Sequence, residues 1–226
     1  MANKKTFKLS DCLVFFDFDN TVTSFDTLDD IIQRFAINEG WKTLEDAWLA
    51  KRIGSRECLK GQLALVRISK RKLCKYLKKI RISPYFSRIL ALLNKKNVKV
   101  TILSDNFEFI IKYILDNNGI KGIGLKANRV KFRGERLITS FPYVNKECRY
   151  CGHCKTKNLP NSGLAGKLII YIGDGDSDFC PAKKSGLVLA KGNLLRYFRA
   201  KGLACVPYKD LKGIYQYFKE INDSER

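Results

Sequence analysis

No apolar run in the chain exceeds a few residues, and Cys12 to Phe16 is as long as any. That excludes a membrane-spanning helix, which needs about 20 such residues. The basic start MANKKTFKLSDC is not followed by the apolar stretch of a signal peptide, so no secretory signal is expected. Internal repeats and low-complexity linkers are absent, and histidine is reduced to His153 alone. Acidic residues are scarce, 22 against 43 Lys and Arg, for a net charge of +21. Such a balance attracts phosphates, nucleic acid or an anionic surface, but it does not define chemistry. What is present is a foldable composition: 45% hydrophobic and 12% aromatic residues exclude a disordered chain. A length of 226 residues fits a core with an inserted accessory domain and needs no disulfide or partner to hold it. Five of the eight cysteines (Cys12, Cys58, Cys74, Cys180 and Cys205) are scattered, and reduced thiols in a cytoplasmic setting are expected.

Leu13 to Phe16 reads as a buried strand ending at Asp17. Residues 23–83 then show only helical periodicity, over 26–37, 44–53, 58–66 and 73–80, until Ser83-Pro84 closes the block. A helix over 86–93, a strand over 98–103 and a helix over 106–115 follow. Short strands are expected over 122–141, with a turn at Arg133-Gly134. Strands over 168–172, 187–189 and 204–206 come next, and a last helix over 208–221. Strands alternating with helices predict an α/β, Rossmann-like core with a parallel sheet, formed by residues 1–22 and 84–226. The α-helical block 23–83 interrupts that core after its first strand.

In open α/β sheets, ligands bind beyond the carboxyl ends of the strands. Three expected strands end in polar clusters: Asp17-Phe18-Asp19-Asn20-Thr21, Ser104-Asp105-Asn106, and Gly173-Asp174-Gly175-Asp176-Ser177-Asp178. A parallel sheet gathers them at one edge. Six aspartates meeting there repel one another unless a cation sits among them, and an all-oxygen site with room for phosphate suits Mg²⁺.

These motifs, in this order and covering nearly the whole chain, resemble those of the haloacid dehalogenase superfamily of aspartate-based phosphatases. The resemblance implies Asp17 as nucleophile and Asp19 as acid and then base. Mg²⁺ would be held by Asp17, the Asp19 carbonyl and Asp174, with Asp178 supporting that shell or anchoring a lysine. Ser104 and the amides of Asp105 and Asn106, at a helix start, would hold phosphate oxygens; alone, Ser104-Asp105 reads equally as a helix N-cap. The candidate lysines are Lys155, Lys157 and Lys167; Lys167 is placed at the outer rim of the strand, and Lys155, which ends the Cys-rich run, is expected to be the catalytic one rather than Lys157. Cys148-x2-Cys151-x2-Cys154-Lys155 and Gly-Asp-Gly-Asp-Ser-Asp-Phe-Cys180-Pro181 resemble the branch containing phosphoethanolamine/phosphocholine phosphatases and the methionine-salvage phosphatases.

The superfamily places a small cap where residues 23–83 stand, and a cap excludes water and selects substrate. Asp26 is either a substrate-reading acid or the N-cap of its helix. Gln62 stands where phosphoserine phosphatases carry an arginine, which lowers phosphoserine as a substrate. Trp41 and Trp48, at helical spacing, are expected in the core of this block. From Lys51 to Lys99 there are sixteen Lys or Arg and one acid, Glu57, spread over several helix faces. With only Tyr76 interleaved among the basic residues from Arg67 to Lys79, this reads as a solvated basic surface and argues against polynucleotide binding. The expected function is Mg²⁺-dependent hydrolysis of a small phosphorylated metabolite, either narrow or broad in specificity. The rival is a basic nucleic-acid-binding module with zinc on Cys148, Cys151, Cys154 and His153 and an unused phosphatase site; against zinc, these ligands lack a second separated pair.

Overall fold

A computed structural model describes residues 7–148, 150–160 and 166–225. Its centre is a seven-stranded sheet in the order β4-β3-β2-β1-β5-β6-β7. The strands are β1 (Cys12–Phe16), β2 (Lys99–Phe107), β3 (Gly124–Arg133), β4 (Arg136–Ser140), β5 (Leu168–Gly173), β6 (Leu187–Ala190) and β7 (Val206–Pro207). All neighbours are parallel except the β3–β4 hairpin. Strand β1 lies between β2 and β5, with Phe16 opposite Ile102 on one side and Ile172 on the other. The chain winds outward from β1 through β2 to β3, then returns to start again at β5. The crevice outside β1 and β5 is therefore the topological switch point, where open α/β sheets bind ligands.

Strand β1 is apolar throughout because both of its faces are covered. Val14 and Phe16 join a cluster with Ile102, Ile170 and Ile172, on the side of helices α5 (Pro84–Lys95), α6 (Glu108–Asn117) and α9 (Leu211–Ser224). Phe15 points the other way, to Leu103, Ile169 and Tyr171, on the side of α7 (Phe179–Lys183) and α8 (Gly192–Ala200). Helix α5 starts at Pro84, two residues before the periodicity suggests, because Ser83 caps it and Pro is favoured in the first turn.

Between β1 and α5 lie α1 (Thr27–Phe35), α2 (Gly40–Leu49), α3 (Ser55–Leu65) and α4 (Lys70–Leu77). Leu28, Ile31 and Ile32 form the buried stripe of α1, and Leu63, Leu73 and Leu77 bury the inner faces of α3 and α4 in the same cluster as Phe16. The block also touches the far edge of the sheet, where Ile68 N–H donates to the Glu135 carbonyl. Among the described residues no helix is long and apolar enough to cross a membrane.

One expected helix start is corrected. Asn106 belongs to β2, and α6 begins only at Glu108. A register shift between Ser104 and Phe107 interrupts the pairing with β3. The Ser104 hydroxyl accepts the Asn106 N–H and the Asn106 side-chain oxygen accepts the Phe107 N–H, which stabilises an extended end that helix periodicity does not reveal.

Candidate active site

The loop after β1 folds back on the Phe18 carbonyl, which accepts the N–H groups of Thr21, Val22 and Thr23. Asp17 and Asp19 are thereby turned toward the crevice. They line one cleft with Ser104, Asp105, Asn106, Lys155 and Asp174, so the ends of β1, β2 and β5 meet as the sequence implies. Asp17 is buried, and its Oδ1 accepts the Lys155 ammonium at 2.7 Å. Lys155 is only 2% exposed and also donates to Asp178 Oδ1 at 2.7 Å and the Ser177 hydroxyl at 2.9 Å. Burial works against its charge, but Asp17 and Asp178 outweigh it and hold the ammonium well above its ordinary range. Lys157 is exposed, and Lys167 bonds the Ser10 carbonyl away from the cleft. Of the three candidate lysines, the fold brings Lys155 to the aspartates.

Asp178 has no exposure, and both its oxygens are engaged. Oδ1 accepts Lys155 and the Tyr171 hydroxyl; Oδ2 accepts the N–H groups of Asp174 and Gly175. This carboxylate holds the lysine and the β5 turn together. Gly173 is required beside it, because a Cβ there would collide with the Asp178 carboxylate, which four hydrogen bonds hold in place. Gly173→Ala is expected to lower kcat at least about tenfold by displacing Asp178 and with it Lys155. Steady-state kinetics beside a melting curve checks this, since global unfolding would move the melting point as well.

Asp174 accepts the Thr21 hydroxyl at 3.0 Å. Asp17, Asp174 and Asp178 offer carboxylate oxygens within 4.8 Å of one another. With three carboxylates facing one ammonium, burial and the Asp178 charge push the Asp17 carboxyl well up and Asp174 up to about 6. One ammonium does not balance three carboxylates, and the donors are all hard oxygens, which fits a divalent cation such as Mg²⁺. Among the described residues this is the group of ligating side chains that converges. Cys148, Cys151, Cys154 and His153 do not meet at one point, and the His153 Nδ1 faces the Ser104 carbonyl at 2.7 Å.

Asp19 is bonded to Thr27 and Asn106 rather than to Lys155. Its Oδ1 accepts the Thr27 N–H and hydroxyl, and its Oδ2 accepts the Asn106 amide at 2.9 Å. Burial pushes its carboxyl up to about 8, helped by Asp26 and opposed by these hydrogen bonds. A carboxyl still protonated near neutrality is suited to donate a proton. The Asn106 N–H is bonded to the Ser104 hydroxyl, and the Asn106 side-chain amide is bonded to Asp19. The Asp105 carboxylate accepts the His153 N–H at 2.9 Å, so it tethers the loop that carries Lys155.

Asp26 caps α1, accepting the N–H groups of Leu28 and Asp29, and also lines the cleft. Gln62 is buried, donates to the Trp41 carbonyl and lines the cleft as well. Trp41 packs against the core, whereas Trp48, expected there too, lines the cleft. Sequence reasoning missed Thr27, Tyr171 and Ser177, which orient Asp19, Asp178 and Lys155. It also missed Asp29 and Glu45, which line the cleft beside Trp48 and Leu59.

A family model described as Putative Phosphatase matches residues 12–188. A protein of Geobacillus kaustophilus called 2-hydroxy-3-keto-5-methylthiopentenyl-1-phosphate phosphatase is 28% identical over 200 residues, covering 87% of this chain and 90% of that one. One of the same name from an Exiguobacterium strain is 27% identical over 210 residues, covering 91% and 96%. Among solved structures, a phospho-aspartyl intermediate analogue of phosphoserine phosphatase aligns with a TM-score of 0.68 and 22% identity, over 91% of this chain and 98% of that one. A HAD family hydrolase of Salmonella aligns with a TM-score of 0.67 and 16% identity, over 88% and 68%. These structural likenesses bear on the fold.

Proposed function

The chain belongs to the phosphatase family whose model spans residues 12–188, and on that premise we propose that it hydrolyses a small phosphomonoester through an aspartyl-phosphate on Asp17. The observation that carries this reading is the Lys155 ammonium bonded to both Asp17 and Asp178 in the cleft where Asp19 stands. Lys155 grips Asp17 Oδ1, which leaves Oδ2 to attack phosphorus. The P–O bond to the leaving group breaks as Asp19 gives its proton to that oxygen. Asp19, now ionised, takes a proton from water, which attacks phosphorus and releases Asp17 and phosphate. The Ser104 hydroxyl is assigned to a phosphate oxygen. Asp17, Asp174 and the Asp19 carbonyl would hold Mg²⁺, which supplies charge neutralisation at the phosphate. Asp178 is assigned to Lys155 rather than to the metal. The helical block 23–83 serves as the cap, with Asp26 and Gln62 on its inner surface.

Metal binding carries a sign in pH. A folded-state carboxyl raised to about 6, against an ordinary 3.8, binds its proton more tightly in the fold. Its contribution is therefore lost as pH rises from the ordinary value through 6. A cation on the ionised cluster offsets that loss above pH 6. Millimolar Mg²⁺ is thus expected to raise the melting temperature by several degrees at pH 8 and by little at pH 5, and Asp174→Asn to abolish the difference.

The related proteins point to a phosphorylated methylthio-ketone substrate. The cap side of the cleft favours a second reading, an amine such as phosphoethanolamine or phosphocholine, because Asp29, Glu45 and the Trp48 ring suit an ammonium. Burial, together with Asp26 and Glu45, pushes Asp29 up to about 7, and an ammonium between these acids would relieve that crowding. Among the described lining residues the cation is Lys155, already paired, so a phosphoserine carboxylate would find no partner. Glu45→Gln is expected to lower kcat/KM for phosphoethanolamine about tenfold and to leave neutral esters unchanged. Equal effects on both would remove the amine reading. Phosphate release from a panel of phosphoethanolamine, phosphocholine, phosphoserine, the methylthio-ketone phosphate, phosphosugars and phosphorylated oligonucleotides tests the function. One small ester far ahead of the rest supports it, and no release from any overturns it.

A further inference from the structure

The loop leading to Lys155 carries a pair of thiols that the phosphatase chemistry does not use. Cys148 Sγ and Cys151 Sγ lie 3.5 Å apart, both half-buried and both free. Closing to a disulfide, at about 2.05 Å, needs only a small movement within one turn. That turn is held from both sides. The Cys148 N–H donates to the Asn145 carbonyl. The Ser55 hydroxyl, at the start of α3, bonds the Tyr150 carbonyl at 3.3 Å and accepts the Gly152 N–H at 2.8 Å. His153 is tied to Asp105 and Ser104, and Lys155 follows two residues later. Cys148 thus precedes, and Cys151 lies between, the two residues, Tyr150 and Gly152, by which the loop that supplies the lysine contacts the helical block.

We propose that Cys148 and Cys151 are a reversible dithiol–disulfide pair whose oxidation lowers phosphatase activity by shifting this loop; the control of activity rests on the assignment of Lys155 above. The oxidant is hydrogen peroxide. The Cys148 thiolate attacks a peroxide oxygen, the O–O bond breaks, and the departing hydroxide leaves as water after taking a proton. The Cys151 sulfur then attacks the resulting sulfenic sulfur, the S–S bond forms, and the S–O bond breaks with loss of a second water. The balance is two thiols and one peroxide giving one disulfide and two waters. An external dithiol reverses it.

The surroundings separate the roles. At Cys148, burial is outweighed by the N–H groups of Tyr150 and Cys151 and by the Cys151 thiol, which hold its thiol below the ordinary range and favour thiolate. Burial and the neighbouring Cys148 push Cys151 up to about 12, so it keeps the proton. Cys12 and Cys58 are buried, and burial pushes each up to about 12. Cys180 is exposed and does not share this arrangement.

The test treats the reduced full-length protein with a small excess of hydrogen peroxide, then alkylates it and maps the cysteines by peptide mass spectrometry. Cys148 and Cys151 should become protected together, in one peptide lighter by two hydrogens, and recover on adding a dithiol. Phosphate release should fall at least about tenfold and return with the thiols. Cys148→Ser and Cys151→Ser should keep the reduced activity and form no such peptide, and Cys151→Ser should stop at a trappable sulfenic acid on Cys148. Alkylation of both cysteines after peroxide, or a bond from Cys148 to Cys154 instead, overturns the pair. A Cys148–Cys151 disulfide with unchanged activity overturns the control. If the reduced protein releases no phosphate from any ester, it is the phosphatase reading that fails, and mass mapping still decides the disulfide.

Discussion

Asp17→Asn is expected to abolish turnover, by at least about 10³-fold in kcat, while leaving the protein folded. The amide has the shape of the carboxylate, and its oxygen can still accept the Lys155 ammonium that Asp17 Oδ1 now accepts. What it lacks is the nucleophile: an amide cannot form the acyl-phosphate proposed for Asp17. A 10³-fold loss is about 4 kcal/mol of barrier, far more than a mispositioned hydrogen bond accounts for. The stability should move the other way. Burial and the nearby Asp178 charge push the Asp17 carboxyl well up, so its ionised form is disfavoured in the fold. Replacing it with a neutral group removes one of the three carboxylates that crowd a single ammonium. At pH 8 without metal, the melting temperature of Asp17→Asn should match or exceed that of the wild type. Phosphate release and thermal melting on the same preparation check both halves. A variant that keeps a tenth of the activity would remove Asp17 as nucleophile, and one that is merely unfolded would leave the activity loss uninterpretable; Asp17→Ser then repeats the comparison with a smaller neutral side chain.

How much of this was legible follows from which interactions are local. The polar clusters that begin at Asp17, Ser104 and Asp174 could be read because an apolar run that stops at a polar cluster is a one-dimensional signal, and parallel pairing of β1 with β2 and β5 does the rest. The four helices between β1 and α5 could be read from their apolar stripes. Trp48 could not be placed, since helical spacing says that it shares a face with Trp41 but not whether that face meets core or cleft. Asp29 and Glu45 meet only through the packing of α1 and α2, which no local pattern encodes. Tyr171 sits in the middle of an apolar strand and looks like core; its hydroxyl reaches Asp178 only because β5 ends in a turn that folds back over it. The extended conformation of Asn106 leaves no trace in the helical periodicity, because its side-chain bond to the backbone, not its hydrophobicity, sets it. The choice between Lys155 and Lys157 lay in a loop without periodicity, where only the three-dimensional path decides.

That choice yields the second large effect. Lys155→Met is expected to lower kcat at least about 10²-fold and to destabilise the protein at neutral pH, whereas Lys157→Ala should match the wild type in both respects. Methionine keeps the length and the apolar stem but removes the charge that joins Asp17, Ser177 and Asp178. Removing one partner of a buried ion pair leaves the other uncompensated, typically at about 3–5 kcal/mol. Against a total stability of about 5–15 kcal/mol for a folded chain, this is a large fraction. The loss should depend on pH in one direction. Asp17 is already pushed above the ordinary carboxyl range, and without the ammonium it rises further, so protonation relieves the unpaired charge as pH falls. The gap in urea midpoint between Lys155→Met and wild type should therefore be wide at pH 8 and narrower at pH 5. A gap independent of pH would mean that Lys155 acts through packing alone. Loss of activity in Lys157→Ala with full activity in Lys155→Met would transfer the role to the exposed lysine. The proposed chemistry and the stability share one cause here: a single buried ammonium offsets part of the charge around Asp17 and, through Asp178, holds the β5 turn that carries Asp174.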